Sequence, residues 1–462
     1  MPFTTAKSTE TAEQKAVYGK VFRRILIFVC VLYILAYMDR TAISYAGPNG
    51  MNQDLGLTAA TFGLVSGVFF IGYVLFEVPS NLALRRFGAG VWLGRIILSW
   101  GIIQALTAFV PNEGVMYAAR VLLGIAEAGF APGVLFYLTL WLPARRRVIA
   151  FSYFIVMAVL SNIVGAPLLT LAIEWGNSMN TGFAGWRLMI LLTGILPVIF
   201  GVWTFFYLPK GPKDARWLTQ REKDLIEDEL AAERSQVPDT THSVWSGLRS
   251  PKVWILGAAY FTVPYSTYTL SFFLPTVVAG FKQQFSLELS PVQVGLLVAV
   301  PSVVGGLAAI LVARSASRRG RLGLHVAVVC FIAAAGAALV GFSNNPVTSL
   351  IALSLVSIGA YGAPAVFLSI IPKLFNIAAV ATALALVNSI ANASGFAGPY
   401  VTGSIISVTG STNMAFVVVG ALIACGGLTI YLVDRRSQRP QPRRRESLPA
   451  VDSTISSPEK VR

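Results

Sequence analysis

Runs of about twenty or more predominantly apolar residues recur along the chain, with approximate limits 24–46, 59–83, 90–110, 115–142, 148–173, 186–208, 253–279, 291–313, 322–342, 347–371, 377–407 and 413–433. Each is long enough to cross a bilayer core of about 30 Å as a helix. In lipid only helices and closed barrels satisfy the backbone, and these runs lack the strict apolar/polar alternation of a barrel strand. The pattern predicts an all-α membrane protein with twelve transmembrane helices.

The longest polar interior segment, 210–252, divides the spans six and six. Within it, LTQREKDLIEDELAAER has Thr219 at an N-cap position, Glu222 three residues on, and Leu225, Ile226 and Leu230 on one face. This reads as an amphipathic helix lying across the membrane surface or the bundle. Landmarks also repeat at one offset of 232 residues: Gly88 and Gly320, each after a basic pair; the AlaPro pairs at 131 and 363; and Pro167 and Pro399. Three coincidences at one offset point to a duplicated six-helix unit. Because six is even, the copies insert in the same orientation, as parallel repeats whose interface holds the substrate near the midplane. Prolines in spans 4, 5, 10 and 11 would let those helices bend. The expected organisation is a tail (1–23), a six-helix bundle (24–209), the central segment (210–252), a second bundle (253–433) and a disordered Arg/Pro/Ser-rich tail (434–462).

Composition agrees, with 55% hydrophobic and 12% charged residues in 462. The net charge of +15 could suggest nucleic acid, but its placement argues against that. Lys and Arg cluster in the first tail, at Arg85-Arg86, at Arg145–Arg147, through 210–252, at Arg314–Arg321, at Lys373 and after Asp434, while the alternate loops carry almost none. This is the positive-inside pattern, and it places both termini in the cytoplasm, with anionic lipid as a secondary contact. A polar stretch of about twenty residues before the first apolar run, with no small-residue cleavage motif closing that run, leads us to expect no cleavable leader and a first span that stays. Three cysteines (Cys30, Cys330, Cys425) and two histidines (His242, His325) have spacings that suit neither a metal site nor a disulfide framework, so no metal or cofactor is expected.

Ionisable residues well inside spans are few: Asp39 and Arg40 in span 1, Glu77 in span 2, Arg95 in span 3, Arg120 and Glu127 in span 4. A charge at the bilayer centre costs at least about 2.5–3.5 kcal/mol on insertion scales, so retained charges usually face a cavity. Arg120 and Glu127 stand two helical turns apart on one face. Glu77 and Arg95 lie near span ends, where snorkelling or a loop contact suffices. For the other four, a buried ion-pair network that fixes helix positions is one reading. The other has an arginine fork holding an anionic substrate while the carboxylates exchange protons, since burial and a neighbouring arginine act oppositely on a carboxyl. The second half offers neutral candidates: Tyr265, Tyr268, Tyr361, Asn388 and Asn392, where Asn can equally be interhelical glue.

Several stretches carry a family resemblance: YILAYMDRTAISYA in span 1, FFIGYVLFEVPSNLALRRFGA in span 2, RVLLGIAEAGFAPGVLFYLTLWLPARRR through span 4 and NSIANASGFAGPYVTG in span 11. The chain resembles the major facilitator superfamily, and within it the anion:cation symporters of the tartrate, phthalate or sugar-acid permease type. The resemblance implies proton-driven uptake of a small carboxylate by a monomer in the bacterial inner membrane. It matches the family's proton-coupling pair to Asp39 and Glu127, its substrate anchor to Arg40, and further substrate contacts to Tyr37, Tyr73, Arg120 and Asn388. The loop after span 2 departs from the superfamily pattern, with Asn81 at the first glycine and Arg85 at the acid, beside Arg86; after span 8, Ser317 stands where an acid is common. Glu77 is the candidate substitute in that gate.

Two other functions remain open: an exchanger or facilitator without net proton movement, and a transporter-like sensor. The sensor lacks a large output domain, and the chain offers no HExxH motif or Ser/His set for an enzyme.

Overall fold

The computed structural model describes residues 11–179, 182–235, 250–375 and 377–437, and every regular element among them is helical. The chain begins with α1 (Ala12–Val21), capped by a Thr11/Gln14 capping box. One π-helical turn, Phe22–Leu26, carries it without interruption into α2 (Ile27–Ala46), so the first span continues a helix that starts inside the expected tail. The first half continues through α3 (Ala59–Phe87), α4 (Ala89–Thr107), α5 (Glu113–Glu127), α6 (Phe130–Thr139), α7 (Ala144–Ser178) and α8 (Gly185–Tyr207). After α9 (Gln220–Ser235), the second half comprises α10 (Pro251–Ala279), α11 (Pro291–Arg319), α12 (Leu322–Val340), α13 (Pro346–Leu368), α14 (Ile377–Thr409) and α15 (Thr412–Ser437). With α5 and α6 forming one interrupted span, these supply six crossings in each half. The tail beyond Ser437 lies outside the described residues.

Among the described residues, ten of the crossings are apolar and long enough by composition alone. The remaining two, α10 and α14, are 29 and 33 residues long but carry Thr, Ser, Tyr and Asn through their middles. They pack on each other, α10 also on α2 and α14 on α3, so their polar positions fall where the halves meet.

The duplication is visible in helix geometry. Helices α3 and α11 are each 29 residues long and begin 232 positions apart, behind capping boxes at Thr58 and Ser290. They end at Gly88 and Gly320, whose φ of +90° and +69° a side chain would resist. The next helix in each half, α4 and α12, has 19 residues.

The halves touch closely at the end remote from the termini. There Gly63 meets the Pro399 carbonyl and Gly403, Gly67 meets Phe396, and Gly295 meets the Ala166 carbonyl. Rings of α3 and α10 interlock across the same region, with Phe62–Phe273 at 5.6 Å and Phe70–Tyr268 at 4.7 Å. At the other end, α9 packs beneath the first half through buried Ile226 and Leu230. Tyr18 donates to Glu229 at 2.8 Å, Lys20 pairs with Glu222 at 2.6 Å, and Glu233 binds Arg147 at 3.2 Å and the Ala144 N–H at 2.9 Å.

Candidate functional site

Two glycines bring α3 and α5 together. A Cβ at Gly124 would strike the Phe69 carbonyl, and one at Gly72 would strike the Val121 carbonyl. The helices therefore meet backbone to backbone, which sets Phe69 and Tyr73 beside Arg120 and Glu127.

Glu127 closes α5, and the interruption just after it follows from Pro132. A proline clashes with the carbonyl four residues earlier, here that of Ala128. Ala128 leaves the helix at φ −54°, ψ 131°, and Gly129 turns left-handed at φ +84°. A side chain at Gly129 would also come within 2.5 Å of the Ser80 hydroxyl. By contrast α7, α13 and α14 run uninterrupted through Pro167, Pro364 and Pro399.

Arg40 forms an ion pair with Glu127 through Nη2 and Oε1, and the two side chains are 13% and 1% exposed. Four rings surround its guanidinium: Phe69 at 5.1 Å, Tyr73 at 5.2 Å, Tyr37 at 5.5 Å and Phe70 at 5.8 Å. A cation over aromatic faces is stabilised without losing donors to another charge, so the fork is held while part of it stays available. Neighbouring residues on a helix point about 100° apart, and Asp39 accordingly faces into the bundle, fully buried. Its carboxylate oxygens have no hydrogen-bond partner among the described residues, and Arg120, Arg40 and Glu127 are its charged neighbours. Arg120 is 1% exposed behind Phe69, with Nε 3.4 Å from the Val65 carbonyl.

The structure thus gathers Arg40, Glu127, Tyr37, Tyr73, Asp39 and Arg120 into one cluster, with Tyr268 reaching it across the halves through Phe70. Asn162 of α7 lies 3.5 Å from the Tyr361 hydroxyl, bridging the halves. Tyr265 is buried inside the second half, beside Thr402. Asn388 is exposed and Asn392 half-buried, and neither makes a side-chain hydrogen bond among the described residues. Glu77 is half-buried one turn before Asn81, whose amide donates to its backbone carbonyl. Arg85 and Arg86 lie over Phe136 and Phe87. Sequence reasoning missed Phe69 and Phe70, whose signal was the aromatic cluster FFIGY one turn around Tyr73, and Gln104, a buried amide beside Asp39 that donates to Thr193 at 3.2 Å.

The sequence profile of the Major Facilitator Superfamily matches residues 29–399, with a further match over 287–459. The chain belongs to that superfamily. It is a multi-pass membrane transporter and not an enzyme. It is 38% identical over 417 residues to a protein of Agrobacterium vitis named "Putative tartrate transporter", covering 90% of this chain and 91% of that one. It is 32% identical over 424 residues to the "Inner membrane transport protein RhmT" of Escherichia coli strain K12, covering 91% and 96%. Among solved structures, a bacterial homologue of the human lysosomal transporter Spinster, in an inward-facing and unoccupied conformation, superimposes with a TM-score of 0.68 at 17% identity, over 90% of this chain and 98% of that one. Such a distant likeness speaks for the fold. The charge cluster of the first half thus lies against Tyr268 of the second.

Proposed function

We propose that this protein is a proton-coupled symporter that takes up a small organic anion carrying a carboxylate. The observation that carries the reading is the Arg40–Glu127 pair: a caged, partly accessible guanidinium whose counter-ion is a 1%-exposed carboxylate at a helix interruption. An incoming carboxylate matches the guanidinium fork and displaces Glu127 from it. An unpaired carboxylate so enclosed is costly, so Glu127 leaves the pair by taking a proton. Anion and proton therefore load together, and release of one restores the ion pair. Asp39, enclosed with Arg120 and Gln104, is the second proton-carrying group, and Arg120 positions it rather than reaching the anion in this conformation. Tyr37, Tyr73 and Tyr268 contribute hydroxyls around the anion, and Asn388, Asn392, Tyr361 and Tyr265 join when the halves close over it.

The basic ends of the helices support an orientation with both termini in the cytoplasm of the cell that houses it, in the inner membrane if that cell is a bacterium. The contacts at the remote end then correspond to a closed outer gate and an inward-open state. Glu77, eight residues before Arg85 on α3, is our candidate for the gate acid that the loop lacks. The whole path lies within one chain, which supports a functional monomer. The name of the Agrobacterium relative supports a tartrate-like substrate. Uptake into proteoliposomes across a carboxylate panel tests the reading. An inward proton gradient should drive accumulation of one anion, and uptake indifferent to collapsing the gradient would favour an exchanger or facilitator.

A further inference from the structure

The two repeat-related turns that end α3 and α11 share their glycine and their basic pairs but not their surroundings. In the first half the arginines lie over rings, and Phe87 stacks on Trp92 at 5.4 Å, so aromatic side chains cover the turn. In the second half, Arg319 and Arg321 flank Gly320, and no aromatic ring or carboxylate pairs with either among the described residues. Two residues before Arg319 stands the neutral Ser317. Beside this turn a groove of about 450 Å³ opens between α11 and α12, with both arginines at its mouth.

The groove has two chemically distinct parts. At the mouth, the Arg321 carbonyl can only accept, so it takes the Nδ1–H of His325 at 2.7 Å. His325 Nε2 lies 3.0 Å from the Ser315 hydroxyl and shares a hydrogen bond with it. Both side chains are thus engaged within the protein, and the free donors facing the mouth are the two guanidinium groups. The nearby acid, Asp434, is engaged by the Gly323 N–H at 3.0 Å. Deeper in, the lining becomes wholly apolar: Leu311 is 62%, Val328 48% and Leu324 39% exposed. Leu311 precedes Arg319 by eight residues, which is about 12 Å along the helix towards the membrane centre.

We propose that this groove is a binding site for an anionic phospholipid. Arg319 and Arg321 hold its phosphate with bidentate, charge-assisted hydrogen bonds, and one acyl chain lies along Leu324, Val328 and Leu311. Free phosphate or a soluble anion would satisfy the mouth and leave the apolar wall uncovered. A zwitterionic lipid would fill the wall but bring its own cation to the arginines. Only an anionic lipid matches both parts. Because α11 also packs on α7 across the two halves, such a lipid would load one element of the moving interface.

The test is retention of phosphatidylglycerol against phosphatidylcholine by the purified full-length protein, counted by native mass spectrometry after detergent exchange. The wild type should keep phosphatidylglycerol selectively. Arg319→Gln with Arg321→Gln should lower that retention about tenfold or more, two charges near a membrane surface being involved. Val328→Trp, which fills the wall and leaves the arginines in place, should lower it as well. Arg435→Gln with Arg436→Gln, equally basic on the same end, should change it less than about twofold. Inorganic phosphate should give no thermal stabilisation. Equal losses in the 319/321 and 435/436 variants, no preference between the two lipids, or full retention by Val328→Trp with stabilisation by phosphate would each overturn the proposal.

Discussion

Arg40 and Arg120 share one aromatic ring: the Phe69 centroid lies 5.1 Å from the guanidinium carbon of each. Phe69 is itself fully buried, and its carbonyl is pinned against Gly124. The ring thus gives both like charges a favourable aromatic contact, while Arg40 keeps 13% of its side chain exposed and Arg120 is buried.

Phe69→Leu keeps volume near that of the ring but removes both cation–π contacts. Each such contact contributes from about 0.5 kcal/mol to about 2 kcal/mol when desolvated. The expected result is a KM for the transported anion raised roughly five- to thirtyfold, with the melting temperature little changed. Initial rates of uptake against substrate concentration, with a thermal melt alongside, check this. An unchanged KM would show that the ring is packing only.

How much of this was legible in the sequence differs by feature. Crossings could be counted because lipid demands continuous apolar helices, and α10 and α14, which carry polar residues through their middles, were still found because their runs are long. The charge set was legible because charges in lipid are rare. Its internal pairing was not, since Asp39 and Arg40 are neighbours in the chain yet point apart, and Arg40 finds its partner 87 residues away. The interruption in span 4 was only half legible: prolines stand inside eight of the spans, and Pro197 also has a glycine three residues before it, yet only Gly129 before Pro132 takes the left-handed turn. Phe69 and Gln104 carry no charge and stand out only once α3, α4 and α5 are packed.

Gly129 meets two constraints, a left-handed backbone and the neighbouring Ser80, and a double-mutant cycle separates them. Gly129→Ala should lower stability by about 1–2 kcal/mol from backbone strain plus a further steric part. Adding Ser80→Gly should recover the steric part alone. Melting temperatures of the three variants provide the measurement. Full recovery in the double variant would show that the left-handed turn is not required.

Gly124→Val would force α3 and α5 apart at their closest approach. It should destabilise by about 2 kcal/mol or more and disperse the cage, so folded yield and transport fall together. Gly19→Ala in α1, where a Cβ meets nothing within 4 Å, is the matched control and should be neutral or slightly stabilising. Equal behaviour of the two variants would refute the close approach.

Helix α9, outside the membrane spans, supplies a pH prediction. Hydrogen bonds from Lys20 and from the Thr219 backbone hold the Glu222 carboxyl below its ordinary value of 4.5. A carboxyl depressed in the folded state contributes stability that is present above its unfolded value and lost as pH falls through the folded one. Docking of α9 should therefore be constant at neutral pH and weaken below pH 4.5, by a modest amount because the pair is near solvent. Fluorescence of Trp217, which stacks on Trp141 at 5.7 Å, follows it, taken as the difference from Trp217→Phe. Lys20→Met should flatten the lower part of the transition, and an identical profile in that variant would exclude the pair.

The central claim, that an anion on Arg40 sends a proton to Glu127, is tested most directly by calorimetry of ligand binding in buffers of different ionisation enthalpy. With the transported carboxylate, the account predicts uptake of close to one proton per anion bound, lost in Glu127→Gln while binding persists, and no binding at all in Arg40→Ala. Anion binding to the wild type with no proton uptake, or with the same uptake in Glu127→Gln, would contradict it.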